Sequence, residues 1–275
     1  MSAFFVFVLF YSEVFAINNC GTYASPSLEK AVVKWVYDGD TLLLKDERKI
    51  RIIGIDSPDT HHHKQKAETY GARAREALRE LLNKYNYQVL LEYDQQHQDK
   101  YSRTLAHVFL PNGTNISSWL LDQGLAKTLV IPPNVKYVEC YKQAEKTAQK
   151  ESRNIWSLDN YQLRSAATLD DKIKGFVRLE GKIKSVKKLK KQFVMKFESN
   201  STHPIQIKIR KHDLRYFESI DLNNLKGKRI IVSGKLKKKH GKRIIQISHS
   251  SQLEILPIKL SAEINAPTIK WSSRK

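Results

Sequence analysis

Hydrophobic and polar positions along this chain alternate with two different periods, and the changes between them mark out its elements. Thr41 to Leu44 and Lys49 to Ile55 are aliphatic and β-branched, with Asp46-Glu47 between them, which predicts a hairpin. Over Gln65 to Lys84 the apolar residues recur at helical spacing, with Ala67, Tyr70, Ala74, Ala77, Leu78, Leu81 and Leu82 forming much of one face. Tyr87 to Tyr93 and Arg103 to Leu110 read as strands on either side of a polar loop, Asp94 to Ser102. Pro111-Asn112-Gly113 turns the chain into a helix over Ile116 to Gln123, stopped at Gly124, and a last helix is expected over Asn134 to Lys150. After a stretch of mixed polarity at 159–171, period-two alternation returns. Gly175 to Val186, Gln192 to Phe197, Pro204 to Ile209, Lys228 to Lys235 and Arg243 to His249 predict five strands, with a helical stretch at His212 to Glu218 after the third. The pattern predicts a mainly β chain with helices, in two successive units.

The polar residues that interrupt the first hairpin carry the candidate chemistry. Asp38-Gly39-Asp40 ends one strand and begins the next, a tight-turn signal in its own right. Asp40 opens one strand and Asp56 closes the following one, so antiparallel pairing brings the two carboxylates together. Oxygen donors of this kind suit Ca²⁺ or Mg²⁺ rather than zinc. Turn chemistry alone accounts for Asp38-Gly39, but not for Arg51, which sits on the apolar strand Ile50, Ile52, Ile53, Ile55. Arg103 has a similar setting in Asp99-Lys100-Tyr101-Ser102-Arg103. One metal with two guanidinium groups is a set of parts suited to phosphodiester cleavage, because both match negative charge growing on a phosphoryl group.

The succession DGDT, R-x-x-x-x-D-S-P-D, DKY-x-R, QGLA and NIW, spread over Val32 to Leu158, resembles the thermonuclease (staphylococcal-nuclease-like) family. The resemblance implies a five-stranded Greek-key barrel of OB type with three helices. It also implies Ca²⁺ held by Asp40, Asp56 and the backbone carbonyl of Ser57, with Asp38 acting through water behind them. Arg51 and Arg103 would stabilise the transition state, Lys100 and Tyr101 would touch a substrate phosphate, and 3′-phosphate products would follow. The chain departs from the family at Asp59, where the pattern has Glu as the water-orienting base. Asp is shorter by about 1.5 Å of reach, and a misplacement of that size can cost about a hundredfold in rate. The apolar run Leu129 to Pro133 also stands where the staphylococcal form has base-side tyrosines, so base preference is not carried over.

Charge divides the chain in the same place as the hydrophobic pattern. Of the formal net charge of +20, residues 1–171 contribute nothing, with 21 Lys+Arg against 21 Asp+Glu, while residues 172–275 have 27 against 7. Lysine runs at Lys187 to Lys191 and Lys235 to Arg243 neutralise phosphates in a salt-sensitive, sequence-independent way, or attract anionic lipid. The expected organisation is a signal peptide at 1–16, an N-terminal segment at 17–29, a catalytic OB-barrel domain at 30–158, a linker at 159–171, a smaller basic OB-like nucleic-acid-binding domain at 172–257 and a basic tail at 258–275. Residues 1–16 are apolar but short for a membrane span, and Val14-Phe15-Ala16 suits signal cleavage, although no Lys or Arg precedes them. In an exported protein the two cysteines, Cys20 and Cys140, are expected to be bridged. His61-His62-His63 reads as a solvated loop, His107 as a structural residue and Trp156 as core.

These readings converge on an exported, monomeric, Ca²⁺-dependent nuclease acting on DNA or RNA, with no small-molecule cofactor and no integral membrane span. Two alternatives remain at this level: a catalytically weak nucleic-acid-binding protein that keeps the barrel for strand capture, and a Ca²⁺-stabilised surface protein whose lysines meet anionic polymer or lipid.

Overall fold

The computed structural model describes residues 20, 28–60, 67–199, 203–239 and 241–257. The expected signal peptide, most of the N-terminal segment, His61 to His63 and the basic tail lie outside these. The chain forms two compact units, Met1–Tyr161 and Gln162–Lys275.

In the first unit, β1 (Glu29–Val36), β2 (Thr41–Leu44) and β3 (Lys49–Ile52) form an antiparallel meander. The run expected as one strand to Ile55 breaks after Ile52 and resumes as β4 (Gly54–Asp56). Gly54 makes the break: its φ is +92°, and a Cβ there would lie 2.2 Å from the ring of Tyr141. Next come α1 (Gly71–Asn83), β5 (Gln88–Glu92), β6 (Thr104–Phe109), α2 (Ile116–Asp122), β7 (Lys127–Leu129) and α3 (Val138–Lys150). The barrel closes in the order β1-β2-β3-β6-β5, with β1 antiparallel to β5 and β3 parallel to β6. This is the OB arrangement. Alternate residues fill it: Leu42, Leu44, Ile50, Ile52, Val89, Leu91, Ala106 and Val108 are all buried, against Ala74, Leu78 and Leu82 of α1 and Leu120 and Leu121 of α2. Each such aliphatic side chain contributes about 1.5–3 kcal/mol.

Two helices start later than the periodicity predicts. Helix α1 begins at Gly71 because Tyr70 adopts φ 72°, which no helix tolerates, and α3 begins at Val138, after the Pro132-Pro133 turn. A disulfide joins Cys20 to Cys140 with Cα atoms 5.6 Å apart across 120 residues of sequence. His107 is interior, its Nδ1 2.8 Å from the Tyr141 hydroxyl, and Trp156 is buried edge-on against Tyr161.

The second unit repeats the topology. Its strands are β8 (Leu163–Ser165), β9 (Gly175–Lys188), β10 (Gln192–Phe197), β11 (Gln206–Arg210), β12 (Arg229–Lys239), β13 (Lys242–Ile247) and β14 (Leu253–Ile255), with 3-10 turns at Lys211–Phe217 and Leu222–Leu225. The order β9-β10-β11-β13-β12 closes through a β12–β9 pairing, and β11 runs parallel to β13. The stretch expected as a linker is built into this unit instead. Strand β8 pairs with β9, Ala166 and Leu169 enter the core, and the buried Arg243 guanidinium donates to the carbonyls of Leu169 and Asp170 and to Asp171. Small residues and mixed polarity concealed that anchoring. Phe193 and Phe197 are core residues here. Among the described residues no helix is long and apolar enough to cross a membrane.

Candidate active site

Three strand ends of the first unit converge on one guanidinium. Thr41 and Arg51 are register partners in the β2–β3 hairpin, so Arg51 emerges beside the start of β2. Its Nη1 donates to the carbonyls of Ile52 (2.8 Å) and Ile55 (2.9 Å), groups exposed to it by the break at Gly54. Its Nη2 lies 3.1 Å from Asp40 Oδ2 and 3.5 Å from Asp56 Oδ1. A guanidinium with this many fixed partners is preorganised, and little conformational freedom is left to lose on meeting an anion.

Asp40 is the deepest of the acidic groups. Its Oδ2 also accepts from the Ser57 amide (2.9 Å) and its Oδ1 from the Thr41 hydroxyl (3.0 Å). Burial pushes its carboxyl up to about 7; Arg51 opposes the rise, and the carboxylates of Asp38 and Asp56 add to it. Asp38 is buried behind it and accepts from the Asp40 amide at 2.9 Å. Gly39 permits this packing, since a Cβ there would lie 2.8 Å from Ser57 Cβ. The Ser57 hydroxyl is buried and has no hydrogen-bond partner among the described residues. The Thr60 hydroxyl donates to the Tyr37 carbonyl (3.0 Å). Among the described residues no three His, Cys, Asp or Glu side chains form a metal-binding group; the acidic donors here are oxygen atoms alone.

Lys127 is a member of this cluster that sequence reasoning missed. It is the register partner of Asp56 in the β4–β7 ribbon, and its ammonium pairs with the Asp56 carboxylate. Burial works against its charge, but Asp56, Tyr161 and Glu68 hold its pKa above the ordinary lysine value. It directly follows the QGLA segment, and the strand that carries it was not expected.

The remaining expected residues lie around this centre differently. Asp59 is exposed; its amide donates to the Glu68 carboxylate (3.1 Å) and its carbonyl accepts from the Glu68 amide (2.9 Å). Arg103 is turned onto Asp99, with Nε and Nη2 each 2.8 Å from Asp99 Oδ2. Asp99 also accepts from the amides of Tyr101 (2.8 Å) and Arg103 (3.0 Å). Its burial raises the carboxyl pKa, but those amides and the guanidinium outweigh burial and leave it below the ordinary value. Asp99 thus shapes the whole Lys100–Arg103 turn, a role that its place in a polar loop did not suggest. Tyr101 is 67% exposed, with the Lys100 ammonium 4.8 Å and the Arg103 guanidinium 5.6 Å from its ring.

Comparison with known proteins places this geometry in context. Residues 49–158 match the family model described as Staphylococcal nuclease homologue. The chain is 40% identical over 149 residues to a Thermonuclease of Staphylococcus intermedius, covering 51% of this chain and 86% of that protein. It is 40% identical over 125 residues to a Thermonuclease of Staphylococcus hyicus, covering 44% of this chain and 72% of that one. A third relative, the SPbeta prophage-derived endonuclease YokF of Bacillus subtilis (strain 168), is 34% identical over 140 residues, 49% of this chain and 45% of its own length.

Proposed function

We infer that this chain, which belongs to the staphylococcal nuclease homologue family, is an exported, Ca²⁺-dependent nuclease that hydrolyses DNA or RNA by water attack on phosphorus. Family membership makes it a nuclease, an enzyme that hydrolyses nucleic acids. The metal, the side-chain roles, the export and the 3′-phosphate products are our reading. The observation that carries it is Arg51, held between Asp40 and Asp56 with a fork suited to phosphate oxygens.

The residues present fit a hard divalent cation. The donors are oxygen, and the carboxylates of Asp38 and Asp56 both act on the buried Asp40. Asp40, Asp56 and the Ser57 carbonyl would hold Ca²⁺, with Asp38 supporting them, and the ion when bound would polarise a phosphoryl oxygen. The protein's own groups do the rest. Arg51 binds the phosphate and offsets charge that grows on its oxygens. Arg103, positioned by Asp99, meets the same group, while Lys100 and Tyr101 hold a neighbouring phosphate. Asp59 orients the attacking water and takes its proton as the P–O5′ bond breaks, and the departing 5′ oxygen is protonated from solvent, leaving a 3′-phosphate and a 5′-hydroxyl. Export is supported by the Cys20–Cys140 bridge, since such bonds persist in oxidising compartments.

The test is cleavage of a supercoiled plasmid and a single-stranded oligonucleotide with Ca²⁺, with Mg²⁺ and with chelator, beside Asp59→Glu. Cleavage should require Ca²⁺, and Asp59→Glu should be faster, by up to about a hundredfold if reach alone limits the base. DNA binding without cutting in any metal would favour the catalytically weak binding protein.

A further inference from the structure

We propose that the outer face of β10, β11 and β13 is a second nucleic-acid-binding site, which holds the sugar–phosphate backbone by charge and reads no base. The role given to it rests on the nuclease reading, but its binding does not.

These three strands are neighbours in the second barrel, and their sequences, QFVMKF, QIKIR and KRIIQI, contain no carboxylate. Phe193, Met195, Phe197, Ile207, Ile209, Ile245 and Ile247 are buried in the core, so alternation directs Lys196, Lys208, Arg210 and Gln246 outward. Register lines them up across the sheet: Lys187 pairs with Val194, Val194 with Lys208, Lys208 with Gln246, and Gln192 with Arg210. Lys187, Lys196 and Lys208 form no ion pair among the described residues. Arg210 has a partly screening neighbour in Asp213, at 3.5 Å.

Both ends of this face carry more positive charge. The β9–β10 connection brings the exposed Lys187, Lys188, Lys190 and Lys191 to the Arg210 end, since Phe193 pairs with Lys188 and Gln192 with Arg210. Strand β13 runs parallel to β11 and starts at Lys242, whose hairpin partner is Lys239, so that second lysine tip lies at the Gln206 end. The result is a basic track along three strands that themselves contain no carboxylate, with Asp213 beside Arg210. The five residues of β11 alone cover about 17 Å at about 3.3 Å per residue, enough for about five phosphates of one strand at about 3.4 Å each. Charge spread along a track and repeated at both ends suits a linear polyanion better than a membrane plane, which a single tip would meet.

The face also lacks what base recognition needs. Stacking contributes about 1–3 kcal/mol per base where aromatic platforms exist, yet the large exposed hydrophobic residues described in this unit are Leu163, Leu189 and Ile255. The site therefore takes duplex and single strand alike and depends steeply on salt. In a nuclease, it keeps a long substrate near the catalytic barrel by raising effective concentration.

The experiment uses the full chain in chelator, with labelled duplex, oligo-dT and oligo-dA, and reads binding by anisotropy across a salt series. The variant Lys187→Gln/Lys208→Gln/Arg210→Gln should bind more weakly. Its log K against log salt slope should flatten by about 0.9 on duplex, and about 0.7 on single strands, for each phosphate that the protein no longer neutralises, equally for dT and dA. The control Lys174→Gln/Lys226→Gln/Lys228→Gln removes the same charge from elsewhere on the unit and should change the slope less. An unchanged slope in the track variant, an equal effect in the control, a loss confined to one base, or binding to phosphatidylserine vesicles but not DNA would each overturn the proposal. A parent that binds in chelator but does not cut once Ca²⁺ or Mg²⁺ is restored would refute the nuclease reading and leave this one standing.

Discussion

The two barrels share one topology and handle charge in opposite ways. In each, three strands form a meander, the third pairs in parallel with the last, and a helical segment separates the third from the fourth. The first draws opposite charges inward, with Arg51, Asp40 and Lys127 side chains each less than 15% exposed in one interlocked cluster. The second turns lysines outward along strands that contain no carboxylate. The difference teaches that this fold supplies strand ends and faces, and that a few polar substitutions decide whether they become a reaction centre or a binding surface. Buried charge must be paired and held, which gives preorganisation; exposed like charge is screened and mobile, which gives salt-sensitive affinity.

The largest expected effect concerns stability and separates the units. Opening the Cys20–Cys140 bridge, by reductant or by Cys20→Ser/Cys140→Ser, should cost the first unit roughly 5 kcal/mol in the chain-entropy account, given a loop of 120 residues. Guanidinium titration followed by Trp fluorescence for the first unit, and by amide exchange for the second, would check it. The second unit, which contains no cysteine, should keep its transition.

A smaller effect sharpens the catalytic side. Asp99→Ala removes the acceptor that shapes the Lys100–Arg103 turn, and single-turnover cleavage should fall about 10- to 100-fold through misplacement of Arg103. Arg103→Lys should not restore it, because Lys lacks the fork. If Asp99→Ala cuts faster instead, the pair is an inhibitory latch and not a positioning device.

The smallest effect is acid sensitivity in the first unit. Burial raises the Asp94 and Asp99 carboxyls, but His107 and backbone amides for Asp94, and amides with Arg103 for Asp99, bring both below the ordinary value. Groups lowered on folding contribute stability that is present above the unfolded pKa near 3.8 and lost as pH falls through the folded one. The urea midpoint should therefore drop as pH falls below the unfolded value near 3.8, and Asp99→Asn should make that drop shallower.

Much of this was legible because both barrels obey simple alternation. The five strands and the helical turn of the second unit follow from period-two runs in the order observed, and Arg51 stood out as a charge on an apolar strand. What stayed hidden has physical causes. The β4–β7 ribbon consists of two three-residue strands, too short for a periodic signal, so the partnership of Lys127 with Asp56 could not be anticipated. The break at Gly54 depends on Tyr141, far along the sequence, packing where a side chain would sit. The region 159–171 looked like a linker because its anchor, Arg243, lies more than 70 residues away and is buried only in the finished barrel. Asp99 resembled an ordinary loop residue until its three donors were in view.

The most direct test of the division of labour measures single-turnover cleavage and DNA affinity on one long duplex, for Arg51→Ala and for Lys187→Gln/Lys208→Gln/Arg210→Gln. The account predicts that Arg51→Ala lowers the Ca²⁺-dependent rate by about a thousandfold, the upper range for losing one transition-state donor, with affinity nearly unchanged. It predicts that the lysine variant binds weakly but cuts at the parent rate once saturated. Arg51→Ala cutting as fast as the parent would contradict it.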